Sequence, residues 1–252
     1  MAARRGRELT IHLALRELAA RHRFTTLGWV WPLARLMAQF GVLLAVFTAA
    51  FDLEIDDYAV YLLTGLIAWS WFSSAVGDAT GSLPRQRHLL LQPRCPAIVL
   101  PLVPVLAGLL DALIALPVLL VVTAVTQGLH ATALLLPVIA GVQLLLCVGL
   151  VWFTSAANVY LRDVAQLVTV ALMMLFYLTP ILYELDSVPA DFRAVLEVNP
   201  LTTLFESYRD VLLDGRLPAA GPLLLVAAAS VGLAAAGLVF FRRLRGGFVD
   251  EL

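Results

Sequence analysis

Lysine is missing from this chain: all 17 basic residues are arginine, set against 18 acids for a net charge of −1. Charge of any sign is scarce. Charged residues make up 14%, where a soluble domain carries about one quarter. The two cysteines, Cys95 and Cys147, form neither a CxxC pair nor a disulfide framework and read as free thiols. No GxxxxGK[ST] loop occurs, and no lysine is available to complete one. HExxH, paired Cys/His metal sets and a GxSxG elbow are also absent, and His12, His22, His88 and His130 are scattered. These gaps exclude unaided nucleotide hydrolysis by any standard device, zinc chemistry and serine-esterase chemistry. They leave no resident cofactor to expect.

What the chain has is apolar length. Hydrophobic residues reach 61% and mean hydropathy is +0.91, too apolar for water to solvate a monomer. Six runs, 29–51, 58–76, 97–126, 133–157, 164–183 and 223–241, are long enough to span. A helix takes about 20 residues to cross some 30 Å of hydrocarbon. Backbone amides in lipid must be satisfied within their own segment, so helix is the expected state. Period-2 alternation is lacking, which argues against a β-barrel. The first run is too long for a signal-peptide core, so no cleavage is expected. The expected fold is an all-α integral membrane protein of six transmembrane helices, one transmembrane domain over 1–252.

Arginine placement orients the six spans. Arg4, Arg5, Arg7, Arg16, Arg21 and Arg23 precede span one. Arg85, Arg87 and Arg94 follow span two, Arg162 follows span four, and Arg242, Arg243 and Arg245 follow span six. The alternate loops are acidic or uncharged, with Asp52, Glu54, Asp56 and Asp57 after span one and seven acids after span five. Both termini are expected in the cytoplasm, in the cell membrane.

Three segments between spans carry more information. Residues 7–24 form an imperfect amphipathic helix along the cytoplasmic surface, with Arg16 and Arg23 on one arc and Arg21 interrupting the apolar side. A plain basic leader is the competing description. In residues 81–96, Pro84 suits a first helical turn and Pro93 a stop, giving a short basic helix. Its Pro84, Arg85, Gln86, Arg87, His88, Leu89 and Leu90 are the candidate docking element for a cytoplasmic partner. On the outer side, Asn199 can cap a helix with Pro200 at its first position. Leu201, Leu204, Phe205, Tyr208, Val211 and Leu212 recur at helical spacing, with Glu206, Arg209 and Asp210 on the opposite, polar side. A re-entrant helical pair between spans five and six is expected.

Ionisable groups inside spans call for explanation. Arg35 can snorkel to the headgroups, and Asp78 lies at the inner end of span two. Asp111 falls near the middle of span three, where it faces a transport path or is a buried hydrogen-bonded carboxyl. Aromatics gather at span ends as a membrane belt would require. Trp69, Trp71 and Phe72, followed by Ser73 and Ser74, and Tyr177 in span five are the candidates for a path or dimer lining.

Four stretches, FTTLGWVWP (24–32), LTGLIAWSWFSS (63–74), NVYLRDV (158–164) and residues 177–213, occur in order along the chain, before an acidic FVDEL ending. Together they resemble the membrane subunits of type 2 ABC exporters, in particular the polysaccharide, O-antigen and teichoic-acid export permeases. The segment before span three departs from that family, with arginines where lysine is common. The resemblance implies a homodimer around a central path, seated on two copies of a separate ATPase that binds ATP and Mg. Residues 84–92 would be the coupling helix and 7–24 an interface helix. The substrate would be a lipid-linked glycan, with no nucleic acid involved. A drug or lipid efflux permease of the same fold is the nearest alternative. A membrane-embedded glycosyl or prenyl transferase is the alternative of another class, but the inner loops offer it few carboxylates, Asp78 and Asp163.

Overall fold

The computed structural model describes residues 30–50, 57–90 and 96–251. The expected interface helix with Arg16, Arg21 and Arg23 lies outside the described residues, as does Cys95. Among the described residues every regular element is helical. In chain order they are α1 (Val30–Ala50), α2 (Tyr58–Thr80), the short turns α3 (Ser82–Arg85) and α4 (Arg87–Leu90), α5 (Leu102–Thr126), α6 (Leu136–Tyr160), α7 (Val164–Leu178), α8 (Ala190–Glu197), α9 (Pro200–Leu212), α10 (Ala220–Leu244) and the terminal turn α11 (Phe248–Glu251). Five stretches, Val30–Ala49, Tyr58–Thr80, Ala97–Thr126, Ala131–Tyr160 and Ala220–Gly247, are long and apolar enough to cross a membrane. The chain is an integral membrane all-α protein.

The fifth expected crossing differs. Its helix, α7, stops at Leu178 after 15 residues, a rise of about 22 Å, short of the hydrocarbon thickness. Pro180 is the reason. The residue before a proline is pushed out of the helical region, and Thr179 is extended at φ −111°, ψ 134°. From there the chain runs irregularly to Tyr183, with Thr179 and Ile181 fully buried.

Helix α2 is the axis of the bundle. It is buried along nearly its whole length, with Ser70, Ser74 and Asp78 on one strip. Packed against it are α5, α6, α7, α1 and α9. Helix α1, by contrast, buries only Leu36, and α7 has no fully buried residue. These two most exposed helices flank one side of α2.

Two core clusters mark the two ends. The larger surrounds α2 and reaches Leu182, Leu201, Phe205 and Leu212 at the acidic end. The smaller joins Leu83, Leu100, Ala156, Val159, Phe241 and Phe248 at the arginine-rich end. There the Trp152 indole donates to the Ile98 carbonyl at 3.1 Å, and the Tyr160 hydroxyl donates to Leu244 at 2.8 Å. In place of one docking helix, the segment after α2 forms two four-residue turns separated at Gln86. Leu83 is fully buried and Leu90 packs on the smaller cluster. The Arg85 guanidinium donates to the Asp78 carbonyl. Arg87 and His88 are left exposed.

Helices α6 and α10 approach closely through glycine, as membrane helices do where small residues let backbones meet. A Cβ on Gly149 would lie 2.7 Å from the Ala234 nitrogen, and one on Gly237 would lie 2.5 Å from the Gly149 carbonyl oxygen. Gly232, on the same helix, meets nothing within 4 Å. Gly237→Val is therefore expected to destabilise the detergent-purified protein by about 1–3 kcal/mol through overpacking, while Gly232→Val leaves it unchanged. Thermal melting of the two variants checks this, and equal melting points would refute the packing assignment.

Candidate functional site

A groove of about 610 Å³ opens between α1, α2 and α5. Helical spacing supplies its lining. Trp31, Arg35 and Gln39 recur every four residues along one face of α1. Ser70, Ser74 and Asp78 do the same on α2, with Trp69 and Ser73 beside them, and Gly108, Asp111 and Ala115 complete the wall on α5. A second hollow of about 270 Å³ shares Gln39, Trp69 and Ser73 and adds Leu172, Met173, Phe176 and Tyr177 of α7. The two form one polar and aromatic track between the most exposed helices. Arg35 and Asp78 stand where it meets the arginine-rich end, Asp111 stands midway along α5, and Tyr177 lies toward the acidic end.

The candidate path residues divide accordingly. Trp69, Trp71 and Asp111 line the groove, and Tyr177, 65% exposed, lines the adjoining hollow. Phe72 lines neither. It is buried and braces Trp69, with ring centroids 5.8 Å apart. The Trp69 ring also meets Phe176 edge-on at 5.5 Å, which joins α2 to α7. The Trp71 indole donates to the Val105 carbonyl at 3.1 Å. Gly108 makes room beside the indole, since a Cβ there would sit 3.1 Å from Trp71 Cδ1 and 2.8 Å from Ser74 Oγ. Gln39 was not singled out from the sequence, although its four-residue spacing from Trp31 and Arg35 would have marked it.

At the acidic end a clamp replaces the missing helix turns of α7. Tyr58 Oη donates to the Leu182 carbonyl at 3.1 Å, and Tyr61 Oη donates to the Tyr183 carbonyl. Asn199 accepts from the Leu201 amide at 3.0 Å, capping α9 as expected, and donates to Thr179 Oγ1 at 2.9 Å. Arg209 corrects the sequence reading. It does not sit on a solvated polar side but is 5% exposed, its guanidinium 3.5 Å from the centroid of the Tyr61 ring. It donates to the Ile181 carbonyl at 3.3 Å and pairs with Glu206 at 3.5 Å. Burial lowers the Arg209 pKa from its usual value, with Tyr61 and Glu206 opposing, and arginine stays charged. Burial also raises the Glu206 carboxyl, with Arg209 opposing. From α9, Arg209 turns inward and satisfies a carbonyl of the irregular backbone.

The ABC-2 type transporter family profile matches residues 8–213, most of the chain. The chain belongs to this family. It is 33% identical over 250 residues to the O-antigen export system permease protein of Myxococcus xanthus, covering 98% of this chain and 96% of that one. It is 28% identical over 247 residues to the O-antigen export system permease protein of Klebsiella pneumoniae, covering 97% and 95%. It is 23% identical over 209 residues to the polysialic acid transport protein of Escherichia coli, covering 81% and 80%. This ABC-2 membrane component is a multi-pass transport subunit. Its LTGLIAWSWFSS stretch is the α2 wall of the groove. Its NVYLRDV stretch is the corner between α6 and α7, where Asn158 Oδ1 accepts from the Ala165 amide at 3.0 Å.

On the other side of α2 and α5 lies a separate apolar cleft of about 350 Å³. Ile67, Leu109, Leu116 and Leu144 line it, with Tyr208 and Leu212 of α9 at one end. Trp71 lines both the cleft and the groove. Among the described residues no three His, Cys, Asp or Glu side chains are grouped to hold a metal ion.

The clamp predicts non-additive energetics. Tyr61→Leu and Arg209→Met should each destabilise the protein, and the double variant should lose about 1–2 kcal/mol less than their sum. A double-mutant cycle by thermal or denaturant unfolding in detergent reads this, and strict additivity would refute the cation–π pair.

Proposed function

We propose that this chain is the membrane-spanning subunit of an ATP-driven exporter of a lipid-linked polysaccharide of O-antigen or related cell-wall type. The supporting observation is the track from Arg35 to Tyr177. It runs at membrane depth between the two most exposed helices, and its walls combine indole faces with hydroxyl, amide and carboxyl groups. Sugar rings present C–H faces that stack on aromatics and hydroxyls that pair with such polar groups. The full-length similarity to O-antigen export permeases supports the same reading.

In this mechanism the chain works as a homodimer in the cell membrane, the α1 and α7 flanks facing a second copy across the path. The arginine-rich end and both termini face the cytoplasm, following the arginine asymmetry. There the arginines attract the diphosphate of a lipid carrier, since guanidinium pairs bidentately with phosphate. Two copies of a separate ATPase bind ATP and Mg and perform hydrolysis. The α3–α4 turns are the coupling element. Leu83 and Leu90 root them in the smaller core cluster, while Arg87 and His88 project outward to be gripped. Through Leu83, movement of the turns is passed to the ends of α5, α6 and α10 that share the cluster. The clamp at Thr179–Tyr183 holds the far end of α7 to α2, so α7 swings from that end when the track widens. Trp69, Gln39 and Ser73 sit where the two hollows meet and are the first side chains such a swing separates from Tyr177.

Arg87→Glu is expected to reduce surface polysaccharide at least about tenfold, the size of losing a charge-assisted contact, with membrane insertion unchanged. Stimulation of the partner's ATP hydrolysis should fall in parallel. Surface glycan blotting and the ATPase rate of the purified complex measure both, and normal values for each would overturn the coupling assignment. Trp69→Ala is expected to lower export without altering basal hydrolysis, and loss of complex assembly instead would place Trp69 in the fold alone.

A further inference from the structure

Helix α3 is a single turn of four residues, and so short a helix has no stability of its own. It stays where packing holds it. At its base the Thr80 and Thr154 hydroxyls are hydrogen-bonded at 3.0 Å, which ties the end of α2 to α6. The turn itself is rooted by Leu83, which has no exposed surface. Leu83 shares the smaller cluster with Leu100, Ala156, Val159, Phe241 and Phe248, and Leu90 of α4 packs on it. Phe248 reaches this cluster from the segment after α10, and that segment is closely fitted. The chain makes a 3₁₀ turn over Arg245–Gly247. The Tyr160 hydroxyl of α6 donates to the Leu244 carbonyl at 2.8 Å. Gly247 passes against that hydroxyl, since a Cβ at this position would lie 2.5 Å from Tyr160 Oη. The Phe248 ring then meets Phe241 edge-on at 5.2 Å and Tyr160 at 6.2 Å. It is buried, whereas Arg242, Arg243, Arg245 and Glu251 around it are exposed.

We propose that Phe248 is a positioning residue of the coupling element, a role that rests on the coupling assignment made above for α3–α4. By filling its part of the shared cluster, Phe248 fixes the seat of Leu83. It thereby sets where Arg87 and His88 stand toward the ATPase. Removing the ring opens a cavity that its surroundings close only in part. The two short turns then gain room to shift, while α6 and α10 stay joined at Gly149 and Gly237. The bundle is kept, but a pull on the turns is taken up in the cavity instead of reaching the ends of α5, α6 and α10. Phe248 touches neither cargo nor nucleotide and acts through Leu83.

The test uses the full-length protein in nanodiscs, with Cys95 and Cys147 replaced by alanine. Spin labels are placed at Arg87→Cys and Arg162→Cys, two exposed positions at the arginine-rich end. Labelled chain is diluted with unlabelled chain, so that distances within one copy are read. The distance distribution should be narrow with Phe248 in place and broader in Phe248→Ala. Phe248→Leu should keep most of its sharpness, and Glu251→Ala, exposed on the same turn, should leave it unchanged. Gly247→Ala should broaden it by displacing Tyr160, and adding Tyr160→Phe should restore it because the colliding oxygen is gone. Gly246→Ala, which meets nothing within 4 Å, should have no effect. If Phe248→Ala fails to fold, the Gly247 series carries the same readout. Distributions as narrow in Phe248→Ala and Gly247→Ala as in the parent overturn the inference. In the complex with the ATPase subunit, Phe248→Ala should lower surface polysaccharide about tenfold with basal ATP hydrolysis within about twofold, as for a lost coupling between two sites. Loosened turns with normal export would leave the positioning role standing and overturn the coupling assignment beneath it.

Discussion

Irregular backbone away from water must find hydrogen-bond partners, and the five residues from Thr179 to Tyr183 place that demand at the acidic end of the bundle. Unsatisfied amide and carbonyl groups in an apolar setting cost several kcal/mol each. Tyr58 and Tyr61 of α2 and Arg209 of α9 meet the need, and Asn199 holds the Thr179 hydroxyl. This explains why α9 folds back among the spans rather than lying flat outside them, and why α2 carries two tyrosines in its first turn. A single proline, Pro180, thus sets the course of the chain from α7 to α9.

The clamp also divides the protein mechanically. The end of α7 beside Thr179 is fixed to α2 and α9, whereas the helix itself has no fully buried residue. On the opposite side of the bundle α6 and α10 are locked at Gly149 and Gly237. The structure therefore pairs a rigid back, built on close backbone contact, with a loosely seated front formed by α1 and α7. The groove lies in that front. Its polar lining is tolerable at membrane depth because it faces a cavity and not lipid, the usual placement for ionisable groups within spans.

Much of the fold was legible from run length and composition, because bilayer thickness fixes helix length and lipid forbids other backbone states. Asn199 and Pro200 announced the start of α9 by their chemistry alone. The boundary at Leu178 was less visible, since an apolar run continues past Pro180 to Tyr183 and hydropathy does not register the break. Arg209 was misjudged for a related reason. Helical periodicity assigns a charged residue to the polar side, but Arg209 points at a carbonyl group and an aromatic ring instead of water. Within the groove, Trp69, Trp71 and Asp111 were found because unusual residues in a span attract attention. Gln39 and Ser70 were not, because each is ordinary alone and acquires meaning only when α1 and α2 are set side by side.

Trp71 lines both the polar groove and the apolar cleft. A hydrocarbon tail settling in the cleft and a carbohydrate in the groove would meet the same residue. Its emission is then a shared reporter, and bilayer composition becomes a variable that belongs in any optical measurement of cargo binding.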